Sequence, residues 1–259
     1  LPPSKLLQNP RRHWGHVMGV GSDEALFQSL LRLGDNTLVL GHRLSEWCGH
    51  APALEEDIAL ANTALDLMGQ TRHWLSLAGE IEGKGRSEDD LAMLRDVWDF
   101  RNVLLVEQPN RDYGHTLMRQ FLFDHFHLLM LRGLSESSEA RVAEIAIKSV
   151  KEVTYHAERS AELIIALGDG TDESHRRMQD ALDWLFPYVG EMFETDAIDT
   201  EIAAKGIAPL PADLRPAFDA QLGAILDEAT LTLPSDAFAH KGGRTGFRHT
   251  EHLGHMLAS

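Results

Sequence analysis

The sequence has 259 residues, 43% of them hydrophobic and 25% charged, and its formal net charge at pH 7 is −16. This composition is ordinary for a folded globular protein, and the negative charge argues against nucleic acids and anionic membranes as partners. The single cysteine, Cys48, excludes an intrachain disulfide and a cysteine-based zinc site. No apolar run approaches the roughly 20 residues of a membrane helix. We therefore expect a cytoplasmic protein.

The first residues differ from the acidic body that follows. Residues 1–20 are rich in basic side chains and proline at their start and show no apolar periodicity. We predict that residues 1–20 are an upstream or poorly ordered segment and that residues 21–259 form a single helical domain.

Apolar residues recur at helical spacing along most of the remaining chain, and no alternating strand pattern of any length is present. A glycine-rich segment, Gly79–Asn110, interrupts this rhythm between the second and third helices. Its length suits the long crossover of a ferritin-like bundle. The sequence thus predicts an all-α, ferritin-like bundle with one long crossover and extra C-terminal helices. The long helices are predicted over about Asp23–Trp47, Ala53–Ala78, Tyr113–Leu134, Glu139–Gly168, Thr171–Phe193 (interrupted near Pro187) and Ala212–Leu226.

On each helix, the apolar residues at helical spacing form a stripe along one face. The stripes of the first two helices carry no acidic residue. Thr37 is the polar member of the first stripe. The second stripe is predicted to contain Leu54, Ile58, Ala61, Leu65, Met68 and Leu75. Leu65 and Met68 would be its inward pair at mid-length, and neither side chain can provide the carboxylate of a di-iron site.

The third and fourth helices each carry an acid and a histidine. Asp124 and His127 stand three residues apart, and Glu152 and His156 stand four apart. Di-iron bundles use Glu-x-x-His because residues three apart share a helix face, but Val153 occupies the glutamate position before His156. The four residues could form a degenerate metal site or a buried polar cluster that satisfies its own hydrogen bonds. We favour the polar cluster.

The first and third helices also carry apolar residues away from their main stripes. A helix that is apolar on more than one face is either central in a large core or in contact with another protein. We adopt the second alternative, which predicts that the chain self-associates and pairs with a partner protein through these helix faces. The residues concerned are Phe27, Leu31, Leu38 and Val39 in the first helix and Met118, Leu122, His125 and Leu129 in the third.

Several motifs in one order resemble a known family, the structural C subunits of the multicomponent phenylacetyl-CoA epoxidase of bacterial phenylacetate breakdown. The resemblance covers about residues 26–257. The motifs that carry it are Leu33–Asn36, Glu46–Pro52, Val106–Asn110, Lys151–His156, Gly168–Thr171 and Thr250–Gly254.

This resemblance implies a ferritin-like structural subunit that binds and stabilises a related catalytic subunit. The catalytic subunit would hold the di-iron centre and bind phenylacetyl-CoA. Its ligand pairs fall on Val153 and His156 and on Leu65 and Met68 of this chain. We therefore assign no catalytic, cofactor-binding or metal-binding residue here, and we expect no cofactor in this chain.

Two other functions stay open at this point. The chain could be a metal-binding oxygenase in its own right, using Asp124, His127, Glu152 and His156. It could also be an independent helical bundle that binds a small acidic ligand. The residues at positions 65, 68 and 153 favour the structural subunit over the oxygenase.

Overall fold

The structure, a computed structural model, describes residues 6–8, 22–235 and 239–258. Two three-residue strands, β1 (Leu6–Gln8) and β2 (Arg248–Thr250), pair antiparallel. Short 3₁₀ turns lie at Val97–Asp99, Phe186–Tyr188 and Gly190–Phe193. The α-helices of the described residues are α1 (Ser22–Glu46), α2 (Leu54–Glu82), α3 (Glu88–Met93), α4 (Leu104–Glu107), α5 (Tyr113–Leu134), α6 (Ala140–Gly168), α7 (Asp172–Leu185), α8 (Ala197–Ala204), α9 (Pro211–Glu228) and α10 (Glu251–Leu257).

Four long helices form the bundle. Helix α1 packs along α2, α5 packs along α6, and the two pairs meet where α2 runs beside α6. The crossover from α2 to α5 carries α3 and α4, and α7 and α9 pack against the α5–α6 pair. The predicted all-α, ferritin-like bundle with one long crossover and extra C-terminal helices is confirmed. Among the described residues, no helix is long and apolar enough to cross a membrane.

Helix α5 lies at the centre of this arrangement. Every residue from Gly114 to Leu128 is buried, because α6, α7 and α9 surround the helix. Its N-terminus is capped by Asp112, whose side chain accepts a hydrogen bond from the His115 amide at 2.8 Å. The apolar residues on several faces of α5 are therefore explained by a central position in the core.

The off-stripe residues of α1 are buried by the chain itself. Phe27, Leu31, Leu38 and Val39 are 6%, 3%, 5% and 1% exposed. Helix α1 contacts α2, α4 and α8, so it has neighbours beyond its bundle partner. The prediction that these residues meet another protein is wrong, and their burial belongs to the fold.

The stripe predicted to face the core on α2 is wrong at three of its six residues. Leu54, Ile58 and Leu65 are 70%, 52% and 69% exposed. A second stripe with the same helical spacing faces the core, and it packs on glycines of α1: Cβ atoms at Gly34 and Gly41 would lie 3.5 Å from Trp74 Cβ and Leu67 Cβ. Met68 and Leu75 of the predicted stripe also lie against these glycines, and Leu75 is buried as predicted. The buried residues of this stripe are Leu60, Ala64, Leu67, Thr71, Trp74 and Ala78.

Two short strands and one helix were not predicted from the sequence, and the predicted division of the chain is not tested. The periodicity gave no sign of the strands β1 and β2 or of helix α8. The division into residues 1–20 and a single domain over 21–259 stays a prediction. Most of residues 1–20 lie outside the described residues, and the described segment Leu6–Gln8 forms β1.

Candidate functional site

The middle of α5 places a buried acid at the centre of the bundle. Asp124 is fully buried. Its Oδ1 accepts a hydrogen bond from Gln120 Nε2 at 2.6 Å, and its Oδ2 accepts one from Ser160 Oγ at 3.2 Å. Burial raises the pKa of Asp124 well above its usual value. The carboxyl is thus held by neutral partners on α5 and α6.

Two buried histidines, His127 of α5 and His156 of α6, lie on the same two helices as Asp124 and Ser160. His156 Nε2 is 2.9 Å from Asp66 Oδ2 on α2. Burial lowers the pKa of His156 although Asp66 acts in the opposite direction. Burial and the nearby His156 lower the pKa of His127 from 6.5 to about 3. Both rings are therefore favoured in their neutral form.

Glu152 is bonded to α2. Its Oε2 accepts a hydrogen bond from Gln70 Nε2 at 3.0 Å. Sequence reasoning missed Gln70 and left Asp66 off the predicted stripe of α2, because the wrong face of that helix was assigned to the core. The correct orientation brings both residues to the seam with α6.

The structure therefore divides the four predicted residues among separate partners. Asp124 pairs with Gln120 and Ser160, His156 with Asp66, and Glu152 with Gln70, while His127 lies against the ring of Phe123 at a centroid distance of 5.2 Å. Within the described ranges, no group of three or more histidine, cysteine, aspartate or glutamate side chains is placed to hold a metal ion.

A di-iron centre needs an inward carboxylate on each of four helices of the bundle. Helix α1 contributes Thr37, whose Oγ1 is 2.8 Å from Thr71 Oγ1 of α2. Helix α6 contributes Val153, which is fully buried. Neither a hydroxyl pair nor an isopropyl group can replace the missing carboxylates. These residues do not fit a di-iron centre.

A second buried polar cluster joins the crossover to the C-terminal segment. Glu107 of α4 is completely buried. Its carboxylate accepts hydrogen bonds from Asn102 Nδ2 at 2.9 Å and from the Thr250 amide and hydroxyl at 2.7 Å each. His249 Nδ1 lies 2.6 Å from the same carboxylate. This cluster holds β2 and the start of α10 against the crossover.

Neighbouring charged side chains extend this cluster along α1. Asp35 and Arg95 form a buried ion pair, and Arg32 bridges Asp196 and Asp199 of the α8 region. Glu191 accepts backbone hydrogen bonds from Leu104 and Gly242 at 2.7 and 2.8 Å. Burial raises its pKa, and the nearby Glu107 acts in the same direction. These acids and bases connect distant chain segments.

Replacing His127 by glutamine is expected to make the free energy of unfolding less dependent on pH in acid. The ring is neutral in the folded chain, where its pKa is lowered from 6.5 to about 3, whereas the unfolded chain binds a proton below pH 6.5. The stabilising contribution is complete above the unfolded pKa and is lost as the pH falls toward the folded pKa. The slope is about 1.4 kcal/mol per pH unit for one proton.

Urea unfolding across that pH interval measures the effect. The matched control is His255→Gln, because His255 is exposed. Equal slopes for the wild-type chain and His127→Gln would contradict the assignment of a buried neutral ring.

Comparison with known proteins agrees with the family resemblance of the sequence motifs. The family described as "Phenylacetic acid catabolic protein" matches residues 15–259. A protein of Escherichia coli (strain K12), named as the C subunit of 1,2-phenylacetyl-CoA epoxidase, is 48% identical over 228 residues. The matched region covers 88% of this chain and 91% of that protein.

Proposed function

The chain belongs to the phenylacetic acid catabolic protein family, and from this premise we propose that it is a non-catalytic structural subunit of a multicomponent phenylacetyl-CoA epoxidase. In this role it binds and stabilises a related catalytic subunit in the cytoplasm. The di-iron centre and the substrate site belong to that catalytic subunit. This chain contributes no catalytic residue, metal ligand or cofactor site.

The observation that carries the proposal is the identity of the side chain three residues before His156. Val153 is fully buried at the face where a di-iron bundle needs a carboxylate. A substituted surface position could be compensated by a neighbouring side chain. A buried aliphatic side chain excludes both the carboxylate and the water that would accompany a metal.

The hydrogen bonds of the bundle centre support the same function. Asp66, Gln70 and Gln120 hold the acids and the histidine that would otherwise be candidate ligands. Hydrogen bonds can satisfy buried carboxylates without a metal, as they do here for Asp124 and Glu152. The chain can therefore keep the bundle architecture of an oxygenase while serving as a folded support.

One observation favours a second candidate, a metal-binding oxygenase in which this chain acts by itself. The Nδ1 atoms of His127 and His156 are buried and have no hydrogen-bond partner in the described structure. Two imidazole nitrogens are common metal ligands, but a hydrolytic or oxygenase centre needs at least one further protein ligand. Asp124, the nearest acid on α5, is already bonded to Gln120 and Ser160.

Co-expression with the catalytic subunit tests the proposed function. A tag on this chain is expected to capture the catalytic subunit in a defined ratio, and epoxidation of phenylacetyl-CoA should require the catalytic subunit. Turnover by this chain alone with iron, a reductant and oxygen would contradict the proposal and favour the second candidate.

Replacing His156 by alanine is expected to leave turnover per assembled complex within a few-fold of the wild-type value, since the ring binds no iron in the proposed function. Stability should fall by about 1–3 kcal/mol, because the buried ring of His156 is removed and a part-buried hydrogen bond to Asp66 is lost. Steady-state turnover, normalised to complex quantified by gel filtration, measures this. A loss above about a hundredfold with unchanged assembly would equal roughly 2.7 kcal/mol of transition-state stabilisation and would contradict the prediction.

A further inference from the structure

A cavity between α1, α3 and α10 reaches the protein surface. Its volume is about 130 Å³. Because a cavity of about 150 Å³ lined by apolar side chains can hold benzene, this one has room for a single side chain of the size of leucine or phenylalanine. The main lining residues are Leu38 and His42 of α1, Ala92 and Met93 of α3, and Met256 and Leu257 of α10.

Exposed apolar side chains extend this cavity into a larger apolar surface. Met93, Leu94 and Leu257 are 67%, 76% and 36% exposed. Leu38 is 5% exposed, so the chain itself covers α1 and leaves the side chains of α3 and α10 open to solvent. We call the cavity and the three exposed residues the α3 groove. Exposed apolar residues grouped in this way are typical of a protein interaction site.

Both ends of α3 are fixed by polar contacts. At its start, Ser87 Oγ accepts a hydrogen bond from the Asp90 amide at 3.1 Å, and Asp90 Oδ2 accepts one from the Ser87 amide at 2.9 Å. After its end, Arg95 forms the buried ion pair with Asp35. The exposed residues of α3 are therefore presented by a fixed segment. A partner that binds them meets little cost in ordering the chain.

The size of the α3 groove favours a protein over a small ligand. Pockets for small ligands usually enclose about 300–1,000 Å³ and bury most of the ligand. The cavity here is smaller than that range, and Met93 and Leu94 are largely exposed beside it. Protein interfaces combine these features, because one anchor side chain fills a pocket while the surrounding contacts exclude water.

The exposed charges beside the α3 groove are acidic. Asp89 is exposed one turn before Met93, and Asp96 is exposed directly after Arg95. Arg95 itself lines the cavity, but its charge is paired with the buried Asp35. Within the described helices α1, α3 and α10, no exposed lysine or arginine lies within one turn of the lining residues. A partner segment that fits this rim is therefore basic.

We propose that the α3 groove receives a segment of the catalytic subunit in which a large apolar side chain is flanked by lysine or arginine. The apolar side chain enters the cavity, and the basic residues lie beside Asp89 and Asp96. The inference rests on the proposed function, because it names the surface through which the structural subunit holds its partner.

The acidic rim selects a different protein over a second copy as the occupant. A two-fold axis through the α3 groove would set Asp89 and Asp96 against the same residues of the second copy, since an isologous interface uses one patch twice. Like charges placed opposite each other oppose association. The self-association expected from the sequence stays a prediction, and it would use another surface.

The affinity between the purified subunits measures the contribution of the apolar side chains. The double variant Met93→Ala/Leu94→Ala is expected to raise the dissociation constant for the catalytic subunit by about tenfold or more, because both side chains are truncated at the edge of the anchor pocket. The matched control is Leu54→Ala, at a residue that is 70% exposed at the start of α2. Circular dichroism should show that all variants are folded, since these side chains are mostly exposed.

The possible outcomes separate this inference from the proposed function. A wild-type chain that binds no catalytic subunit would overturn both. Unchanged affinity of the double variant, or an equal loss in the double variant and the control, would overturn the inference alone and leave the proposed function standing. If the double variant lost self-association and kept its affinity for the catalytic subunit, the α3 groove would be assigned to a second copy instead.

Charge reversal tests the basic character of the partner segment. Asp89→Lys should slow association with the catalytic subunit by about threefold or more at low salt, because attraction is replaced by repulsion. Added salt should slow association of the wild-type chain more than that of the variant. Glu136→Lys, at an exposed position outside the α3 groove, is the matched control. Association of Asp89→Lys as fast as that of the wild-type chain would overturn the assignment of a basic partner segment.

Discussion

Replacing Glu107 by alanine is expected to lower the free energy of unfolding by about 3–5 kcal/mol, the range observed when one partner of a buried polar or ionic group is removed. The substitution leaves Asn102, His249 and the Thr250 amide without their acceptor in a site closed to solvent. The C-terminal segment should then detach before the bundle unfolds. Urea unfolding gives the energy, and limited proteolysis near β2 reports the detachment.

An exposed glutamate provides the control for this substitution. Glu136→Ala, in the exposed turn after α5, should change stability by no more than about 0.5 kcal/mol. Equal stability of Glu107→Ala and the wild-type chain would show that the C-terminal segment contributes nothing to the fold.

Replacing Val39 by lysine is expected to destabilise the fold by about 4 kcal/mol or more, because the site is 1% exposed and a buried ammonium has no partner there. Leu65→Lys is the matched control. Leu65 is 69% exposed, so lysine can reach solvent and folding should be nearly unchanged. Circular dichroism during thermal unfolding measures both variants. Reduced self-association of a normally folded Val39→Lys chain would contradict the burial of α1 within the core.

The sequence predicted the bundle better than it predicted the rotation of its helices. Helix α5 begins at Tyr113 and ends at Leu134, as its periodicity indicated, and the chain breaks near Pro187 as expected. Periodicity failed on α2 because two stripes there have helical spacing. The choice between them depends on the glycines of α1, which lie in another segment of the chain.

At the candidate site, too, the sequence predicted the local features and missed those that depend on helix packing. The apolar residue at position 153 and the acid and histidines of α5 and α6 could be recognised from local spacing. Their hydrogen-bond partners could not. Asp66 is 90 positions from His156 and Gln70 is 82 positions from Glu152. Glu107 and His249 are 142 positions apart. The packing of helices decides which residues form such pairs. A sequence motif can identify each residue but not its distant partner.

Iron content tests the proposed absence of a di-iron centre most directly. The chain should be expressed in iron-replete medium, alone and together with the catalytic subunit, and each purified sample analysed for metal per protein. With Val153 buried at the ligand face and Glu152 bonded to Gln70, we predict far less than stoichiometric iron in the isolated chain. Iron in the complex should then follow the amount of catalytic subunit. About two irons per isolated chain, the number in a di-iron bundle, would contradict the structural-subunit account.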